Sequence, residues 1–237
     1  MKEQLQKDFD NTIKNLSLSQ KDIEIKKFSL DNFINKGFPN RKEEDWKFSD
    51  LNQIINKNIG ELSFYNDYTS TNKVDTSVFV DGLEHNKIVF INGRIEKIDF
   101  DYEKKGQIEI IDQSETINKF DNNNSLSDLN NAFTNKCFKI VIKTGYQLLK
   151  PLIIYHTTNS KIWSKNINLR LDFELQDDSC LRLIDLFNDT SEKNFLNIFY
   201  NFNLKEDAIL KNYKVDKLEN KNIKYSFNNI VQNKNTI

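Results

Sequence analysis

The hydrophobic positions of the first forty residues recur with the period of an α-helix. The apolar stripe consists of Phe28, Leu30, Phe33 and Ile34. Its spacing is close to 3.6 residues, which predicts an amphipathic helix. Gly37 and Pro39 follow it. Glycine suits the left-handed position after a helix and proline cannot continue one, so we expect the helix to end there.

A second helix is predicted after this stop. Its inward positions would be Trp46, Leu51, Ile54 and Ile55. Three acids, Glu43, Glu44 and Asp45, lie near its predicted start, where the positive end of the helix dipole favours them. Residues 1–60 therefore form an N-terminal helical region. Residues 61–87 are rich in Ser, Thr, Asn and Asp with little periodicity, which indicates a linker.

From residue 88 the period changes to two, which predicts strands over 88–237. The run Ile88–Ile91 is closed by Asn92-Gly93, a strong turn signal, and Arg94–Phe100 is its predicted partner. Gln107–Ile111 is a further short strand. Within residues 112–137, a helical face formed by Leu126, Leu129 and Phe133 interrupts the strands, with Ser125 or Ser127 as its expected N-cap.

The remaining strands begin near residues 138, 151, 166, 179, 195, 208 and 223. Five apolar residues from Ile167 to Leu175 alternate strictly with four polar ones, and Leu196–Leu204 repeats this pattern. Such alternation predicts strands with one face buried. Regularly spaced strands of this kind suit either an antiparallel sandwich or a coiled β-solenoid. The low glycine content slightly favours the solenoid.

Composition and charge exclude several classes of protein. Lys and Arg number 34 and Asp and Glu number 35, so there is no basic excess for binding nucleic acid. No apolar run approaches the roughly 20 residues that span a bilayer, and the polar N-terminus is not a signal peptide. We therefore expect a cytoplasmic protein without a membrane segment. The chain holds 34 Asn and 30 Lys, a bias typical of AT-rich codons, so these residues are given little functional weight.

The sequence contains no catalytic motif. It has neither a glycine-rich phosphate loop nor a nucleophile elbow. His85 lies in a polar stretch where we expect it to be solvated, and His156 at a strand end has at most a minor prospect of acid–base or metal chemistry. Cys137 and Cys180 are interpreted as small buried hydrophobes, without the neighbours that a metal site needs. No catalytic, cofactor-binding or metal residue is assigned. A β-helix polysaccharide enzyme is disfavoured because neither a cluster of acids with Arg or Lys along one face nor an export signal is evident. The alternative is an antiparallel β-sandwich that binds carbohydrate or a partner protein.

One segment contains more than its local structure requires. Gly37–Leu51 reads Gly-Phe-Pro-Asn-Arg-Lys-Glu-Glu-Asp-Trp-Lys-Phe-Ser-Asp-Leu. A helix–turn–helix corner explains the glycine, the proline and a buried tryptophan. It does not require Arg41, Glu43 and Trp46 together, for which we expect an arginine–carboxylate clamp that fixes the corner.

This segment resembles the signature near the start of SufD, a scaffold subunit of the SUF iron–sulfur cluster assembly system. Further segments resemble the family in the same order. They are Phe90-Ile91-Asn92-Gly93 (its F-x-N-G turn), Leu129-Asn130-Asn131-Ala132-Phe133 (its L-N-x-A-F helix) and Lys150–Ile154 (its K-P strand entry). The family-motif residues, interpreted as structural or partner-binding, are Gly37, Pro39, Arg41, Glu43, Trp46, Lys47, Asn92, Gly93, Asn130 and Phe133. The resemblance covers essentially the whole chain.

The resemblance implies a helical region followed by a right-handed parallel β-helix. It also implies a non-catalytic scaffold that pairs with a SufB-like paralogue and a SufC-like ATPase. The iron–sulfur cluster would be handled by the assembled complex, with no cofactor in this chain. Family members are longer, so we interpret this chain as the first part of an incomplete β-helix. A solenoid interrupted in mid-repeat exposes an apolar end and unpaired edges, which predicts self-association through the C-terminal end.

Overall fold

A computed structural model describes residues 2–14, 16, 18–65, 72–113, 124–159, 162–188, 193–217 and 222–237. The helices in these ranges are α1 (Lys2–Lys14), α2 (Gln20–Lys36), α3 (Leu51–Asn58) and α4 (Ser125–Phe133). The strands are β1 (Ser63–Phe64), β2 (Asn86–Ile91), β3 (Arg94–Asp99), β4 (Ile108–Asp112), β5 (Cys137–Ile142), β6 (Leu152–Thr157), β7 (Lys165–Leu175), β8 (Cys180–Asn188), β9 (Phe195–Leu204), β10 (Ile209–Lys217) and β11 (Ile223–Gln232). The described chain is thus a mixed α/β structure built mainly from strands.

The predicted end of the first long helix is confirmed. α2 ends at Lys36, and Gly37 follows with φ of 74° and donates its amide hydrogen to Phe33 O at 2.7 Å. At the other end, the hydroxyl of Ser19 caps the amide of Asp22. The apolar stripe is only partly correct, since Phe28 is 53% exposed whereas Leu30 and Phe33 are buried. The stripe is narrower than the sequence pattern because α2 packs mainly on α4.

The second helix begins later than predicted. Glu44–Trp46 forms a short 3-10 turn, and α3 starts only at Leu51. Asp50 is its N-cap, with its carboxylate accepting from Gln53 N at 2.9 Å. The dipole-favoured acid at this start is therefore Asp50, and the prediction for Glu43, Glu44 and Asp45 was wrong.

The hairpin and the later helix lie where the sequence placed them. β2 and β3 pair antiparallel around Asn92 and Gly93, which have φ of 52° and 79°. Positive φ at both central residues is what a type I′ hairpin turn requires, and the twist of that turn matches the twist of the strands it joins. The N-cap of α4 is Asn124, whose side chain accepts from Leu126 N at 2.9 Å. The prediction that Ser125 or Ser127 is the N-cap was wrong, because both serines lie inside the helix.

From β5 onward, consecutive strands alternate between two sheets. One sheet has the order β10-β8-β6-β2-β3, and the other has the order β11-β9-β7-β5-β4 with β1 also on β7. Among the strands that the structure describes, every pairing from β5 to β11 is parallel, and the antiparallel pairs are β2–β3 and β4–β5. Neighbours within a sheet are thus separated along the chain by one strand of the other sheet. This parallel pairing contradicts the antiparallel sandwich.

The largest hydrophobic core lies between the two sheets. Inward residues of parallel strands stand in register, so that Phe173 of β7 lies beside Ile140 of β5 and Phe202 of β9. The Phe173 and Phe202 rings stack with centroids 5.0 Å apart. Such in-register columns bury apolar area across both sheets as far as β8 and β9, which is the main source of stability.

The outer face of the six-stranded sheet is also buried, which the alternation did not predict. α4 lies against this face beneath α1 and α2, and Asn168, Arg170 and Asp172 of β7 are 5%, 4% and 8% exposed. Strand β7 is therefore covered on both sides rather than half-buried. A second core joins the helical region to this face through Phe9, Phe133 and other apolar residues.

The predicted linker contains more structure than its composition indicated. It includes β1, a 3-10 turn at Thr76–Val78 and the first residues of β2, while residues 66–71 lie outside the described ranges. Within the described residues, none of the helices is both long and apolar enough to cross a membrane.

Candidate functional site

The segment Gly37–Leu51 lies at the joint between the helical region and the sheets. The Phe38 ring meets the Phe33 ring of α2 edge-on at 5.1 Å and the Phe195 ring at the start of β9 at 6.1 Å. Pro39 is buried, and its carbonyl oxygen accepts from Leu51 N at 3.0 Å. These contacts close the corner and fix its direction relative to β9.

The expected arginine–carboxylate clamp is not formed. Arg41 is exposed and makes no ion pair with a described residue. Glu43 instead accepts from Asn40 N at 3.1 Å, so its carboxylate stabilises the turn through the backbone. Lys47 is exposed and pairs with Glu44 at 3.2 Å. The prediction was wrong because a backbone amide satisfies Glu43 locally.

Trp46 connects this corner to the last described strand. Its ring lies 6.0 Å from the ring of Tyr225 on β11. The Tyr225 hydroxyl accepts from Asn124 Nδ2 at 2.7 Å, immediately before α4. One residue of the signature segment therefore helps to hold α4, the corner and β11 together.

The motif residues of α4 and the hairpin also occupy joints. Asn130 donates from Nδ2 to Leu169 O of β7 at 3.2 Å and to Asn197 O of β9 at 2.9 Å. Phe133 stacks on Phe64 of β1 with centroids 3.6 Å apart. Asn92 exchanges side-chain hydrogen bonds with the loop after β6, where Asn159 N donates to its Oδ1 at 3.1 Å. Gly93 approaches β7 so closely that an added Cβ would lie 2.7 Å from Ile167 Cγ2.

A group of polar side chains lies between the two sheets near β10 and β11. We call it the interior cluster. It consists of His156 (β6), Asp185 (β8), Tyr200 (β9), Lys214 and Asp216 (β10) and Lys224 (β11). All six occupy inward positions of their strands, in register with core residues such as Ile154, Phe187 and Leu196. Charged groups thus replace apolar ones within a column that is otherwise hydrophobic.

His156 and Asp185 form the buried centre of the interior cluster. His156 Nε2 lies 2.8 Å from Asp185 Oδ1 and 3.0 Å from the Tyr200 hydroxyl oxygen. His156 and Asp185 are 3% and 0% exposed. Nε2–H can donate to the Tyr200 hydroxyl, whereas neither Asp185 oxygen accepts a well-aligned hydrogen bond, so the carboxylate is held mainly by charge.

Two aromatic rings hold the His156 imidazole from both sides. The Phe90 ring is nearly parallel to it at 5.3 Å and the Phe187 ring at 4.5 Å. The three residues face each other because β2, β6 and β8 pair in register at these positions. On the other side of Phe187, Lys224 Nζ lies 3.8 Å from the ring centroid. The imidazole is therefore fixed in orientation, with Nε2 directed at the Tyr200 hydroxyl and close to Asp185.

Burial and charge act in opposite directions on these groups. Burial alone would raise the pKa of Asp185, but the charge and hydrogen bonds of His156 and Tyr200 hold that pKa below its ordinary value. Burial and the Asp185 carboxylate raise the pKa of Tyr200 well above its usual range. Burial lowers the pKa of Lys214, and neighbouring Lys224 acts in the same direction. Asp185 is accordingly ionised and Tyr200 protonated at neutral pH.

The two lysines find their partners in the strands beside them. Lys214 donates to Asn228 Oδ1 at 3.0 Å and to Ser226 Oγ, and lies 4.6 Å over the Tyr200 ring. Lys224 pairs with Asp216. The interior cluster therefore sets two lysines and His156 against two carboxylates. This arrangement is suited to orienting strands, because a buried charge is stable only beside an opposite charge.

The other candidate residues are also held in structural roles. Cys137 is buried beside Asp172, with Sγ 3.9 Å from Oδ2, and burial raises the pKa of the thiol to about 12. His85 is 3% exposed, with Nδ1 2.6 Å from Leu83 O and Nε2 2.7 Å from the Tyr155 hydroxyl. The prediction of a solvated His85 was wrong because β6 places Tyr155 against it. In the described part of the chain, no group of three or more His, Cys, Asp or Glu is arranged for a metal ion.

Most of the interior cluster was missed from the sequence. Only His156 was considered, although Asp185 interrupts the inward series Leu181, Leu183, Phe187. Most inward positions of β10 and β11 are polar, and the apolar exceptions are Leu210 and Ile230. The polar ones are Asn212, Lys214, Asp216, Lys224, Ser226, Asn228 and Gln232. The available signal was a polar residue at a position where the two-residue alternation calls for an apolar one. The end formed by these two strands is thus polar at most inward positions, while inward Ile230 is 49% exposed.

Comparison of the chain with protein-family models and with curated proteins finds no match. Its function is therefore inferred from its own residues and from the arrangement of its strands.

Proposed function

We propose that this chain is a non-catalytic scaffold subunit of the SufB/SufD kind, acting in iron–sulfur cluster assembly in the cytoplasm. In this proposal the two sheets are successive faces of a right-handed parallel β-helix. The observation that supports it best is the alternation of β5 to β11 between two sheets with parallel pairing throughout. A coiled backbone produces this pairing directly, because each strand lies beside the strand one coil earlier.

The positions of the motif residues give further support. The signature corner, the Asn92-Gly93 hairpin and the Leu129–Phe133 helix are far apart along the chain. Each of them lies where one substructure meets another, through Trp46, Gly93 and Asn130 respectively. If the three motifs belong to one family, its architecture would require residues of this kind wherever two substructures meet. Arg41 and Lys47 remain exposed, so within this proposal they are available to a partner protein.

The proposed partners are a SufB-like paralogue and a SufC-like ATPase. The ATPase supplies nucleotide hydrolysis and the assembled complex handles the cluster, so this chain contributes shape and contact surface. The test is co-expression of the tagged chain with the two candidate partners from the same organism, followed by light scattering of the purified material. We expect a complex containing both partners and ATP-dependent cluster transfer to an apoprotein. Failure of the folded chain to bind either partner would refute the proposal.

Self-association is the remaining partner expectation. β10 and β11 are the outermost described strands of their sheets, and the start of β10 is already paired, since Leu210 N donates to Ile237 O at 2.8 Å. β10 carries Lys211, Lys214 and Lys217, and lysines on an edge strand oppose pairing with a like edge. We therefore expect any dimer formed through this end to strengthen with salt, because screening reduces the repulsion. Light scattering at low and high ionic strength tests this expectation.

A further inference from the structure

The outer face of the five-stranded sheet carries two apolar columns. Because β2, β6, β8 and β10 pair in register, one column consists of Val89, Tyr155, Leu186 and Val215. The neighbouring column consists of Lys87, Ile153, Ile184 and Tyr213. These side chains point away from the core between the sheets, on the alternate positions of each strand.

One segment of the chain covers the first half of these columns. We call residues 74–81 the covering segment. Its apolar side chains, Val74, Val78, Phe79 and Val80, pack on Val89, Ile153 and Tyr155. The Phe79 ring lies 5.0 Å from the Tyr155 ring, and Val80 N donates to the Tyr155 hydroxyl at 3.1 Å. This contact fixes the segment across β2 and β6.

The cover ends while the apolar columns continue. Tyr155 is 1% exposed and Leu186 is 6% exposed, but Val215 in the same column is 42% exposed. In the other column, Ile153 is fully buried, Ile184 is partly buried and Tyr213 is 57% exposed. The outer β8–β10 face is thus an uncovered continuation of a surface that the chain itself buries elsewhere.

The charges on the outer β8–β10 face are all of one sign. Its outward side chains are Cys180, Arg182, Ile184, Leu186 and Asn188 of β8, and Ile209, Lys211, Tyr213, Val215 and Lys217 of β10. Three of these are cations, and none of the outward residues of these two strands is an acid. Face-to-face pairing of two copies would bring like charges together, which is unfavourable.

The covering segment shows which chemistry fits such a surface. It combines its apolar residues with two acids, Asp75 and Asp81. Lysines lie around its aromatic ring, with Lys87 Nζ and Lys97 Nζ 5.9 Å and 5.7 Å from the Phe79 centroid. The chain therefore covers this apolar sheet face with an apolar segment and pairs the flanking lysines with an acid, Asp99 of β3, which lies 3.5 Å from Lys87 Nζ and 3.6 Å from Lys97 Nζ.

We propose that the outer β8–β10 face binds an acidic, apolar peptide segment of a different protein. An aromatic or branched residue of that segment packs on Ile184, Tyr213 and Val215. Its carboxylates pair with Lys211, Lys217 and Arg182. This surface lies outside the core between the sheets, and the inference does not depend on the scaffold function.

The test uses a synthetic peptide with the sequence of residues 74–82 as the probe, titrated into the full-length ¹⁵N-labelled chain. We expect saturable shifts of backbone signals confined to β8 and β10. Y213S/V215S should weaken binding by about tenfold or more, which corresponds to about 1.4 kcal/mol. K211E/K217E, a peptide with both acids changed to asparagine, and high salt should each weaken it as well.

The matched control is F48S, which removes another exposed aromatic, 86% exposed, from a different surface. Circular dichroism verifies that each variant is folded. Absence of binding at millimolar peptide, or equal binding by wild type and Y213S/V215S, would overturn the proposal. Light scattering supplies the second readout. If the wild-type chain dimerises and Y213S/V215S is monomeric, the occupant is a second copy and the proposed acidic partner is wrong.

Discussion

The ammonium group of Lys26 donates to the carbonyl oxygen of Thr134 at 2.6 Å. It also donates to Asn131 O and Ala132 O, at 3.1 Å and 3.3 Å, so one side chain of α2 satisfies three carbonyls at the end of α4. Lys26 is fully buried. Helix-end carbonyls need partners when they are removed from water, and a cation there also complements the helix dipole.

Lys26 makes the stability of the fold depend on pH. Burial lowers its pKa from 10.5 to about 7. Between these values the unfolded chain binds more protons than the folded chain, so this residue makes stability rise with pH across that window. The free energy of unfolding, measured with urea at pH 7, 8 and 9, should rise more steeply in wild type than in K26M. The exposed K27M is the control and should keep the wild-type slope. Parallel slopes for wild type and K26M would contradict the assignment.

The buried pair of His156 and Asp185 predicts a large cost for removing one partner. H156F keeps a flat ring between Phe90 and Phe187 but leaves the Asp185 carboxylate without its imidazole. The loss should be about 3–5 kcal/mol, as for other broken buried pairs. The double variant H156F/D185N should recover part of this loss because no uncompensated charge remains. Chemical denaturation of the three chains measures both effects, and an H156F chain as stable as wild type would rule out the pair.

The lowered pKa of Asp185 also predicts acid sensitivity. A carboxylate whose folded pKa lies below its ordinary value of 3.8 stabilises the fold above that value. This contribution is lost as the pH falls through the folded pKa. The stability difference between wild type and D185N should therefore shrink when unfolding is measured at pH 5, 4 and 3. A difference that stays constant over this range would show that Asp185 does not titrate in this way.

The side-chain amide of Asn130 holds α4 on two strands, so we expect its removal to lower the free energy of unfolding. N130A removes both donors, to Leu169 O and Asn197 O, from a buried position. The expected loss is about 1–3 kcal/mol, the cost of leaving buried polar groups unpaired. N52A changes an exposed asparagine within α3 and should be neutral or slightly stabilising. Thermal unfolding of both variants provides the comparison, and equal melting temperatures would contradict the role of Asn130.

Replacing Gly93 should lower stability through a steric clash as well as through its backbone conformation. G93A would place a Cβ 2.7 Å from Ile167 Cγ2 in addition to requiring a positive φ. Gly106 has a similar φ of 81° with open space around it, so G106A carries the conformational cost alone. We expect G106A to lose about 1 kcal/mol and G93A clearly more. Urea denaturation distinguishes them, and equal losses would show that β7 yields without cost.

The positions of the strands could be predicted because period two is a local property of the chain. All seven predicted starts from residue 138 onward correspond to a strand, and Asn92-Gly93 forms the expected turn. The alternation could not predict whether the polar positions of a strand face solvent or another element. The alternation places Asn168 on the solvent-facing side of its strand, and the asparagine-rich composition gives it little weight. Its side-chain oxygen nevertheless accepts from Asn197 Nδ2 at 2.9 Å beneath α4. Hydrogen bonds to buried asparagines depend on a helix more than thirty residues away along the chain.

The sequence by itself determined the long strands and the main helix end, because helix ends, turns and alternation follow from the chemistry of neighbouring residues. Only the tertiary structure decided that the strands pair in parallel and that Lys26, Asp185 and His156 are buried. The reason is that a parallel pair joins residues separated by an intervening strand, so no local pattern records its direction. The burial of a charge likewise depends on partners supplied by other elements, such as the Thr134 carbonyl for Lys26 and the His156 imidazole for Asp185.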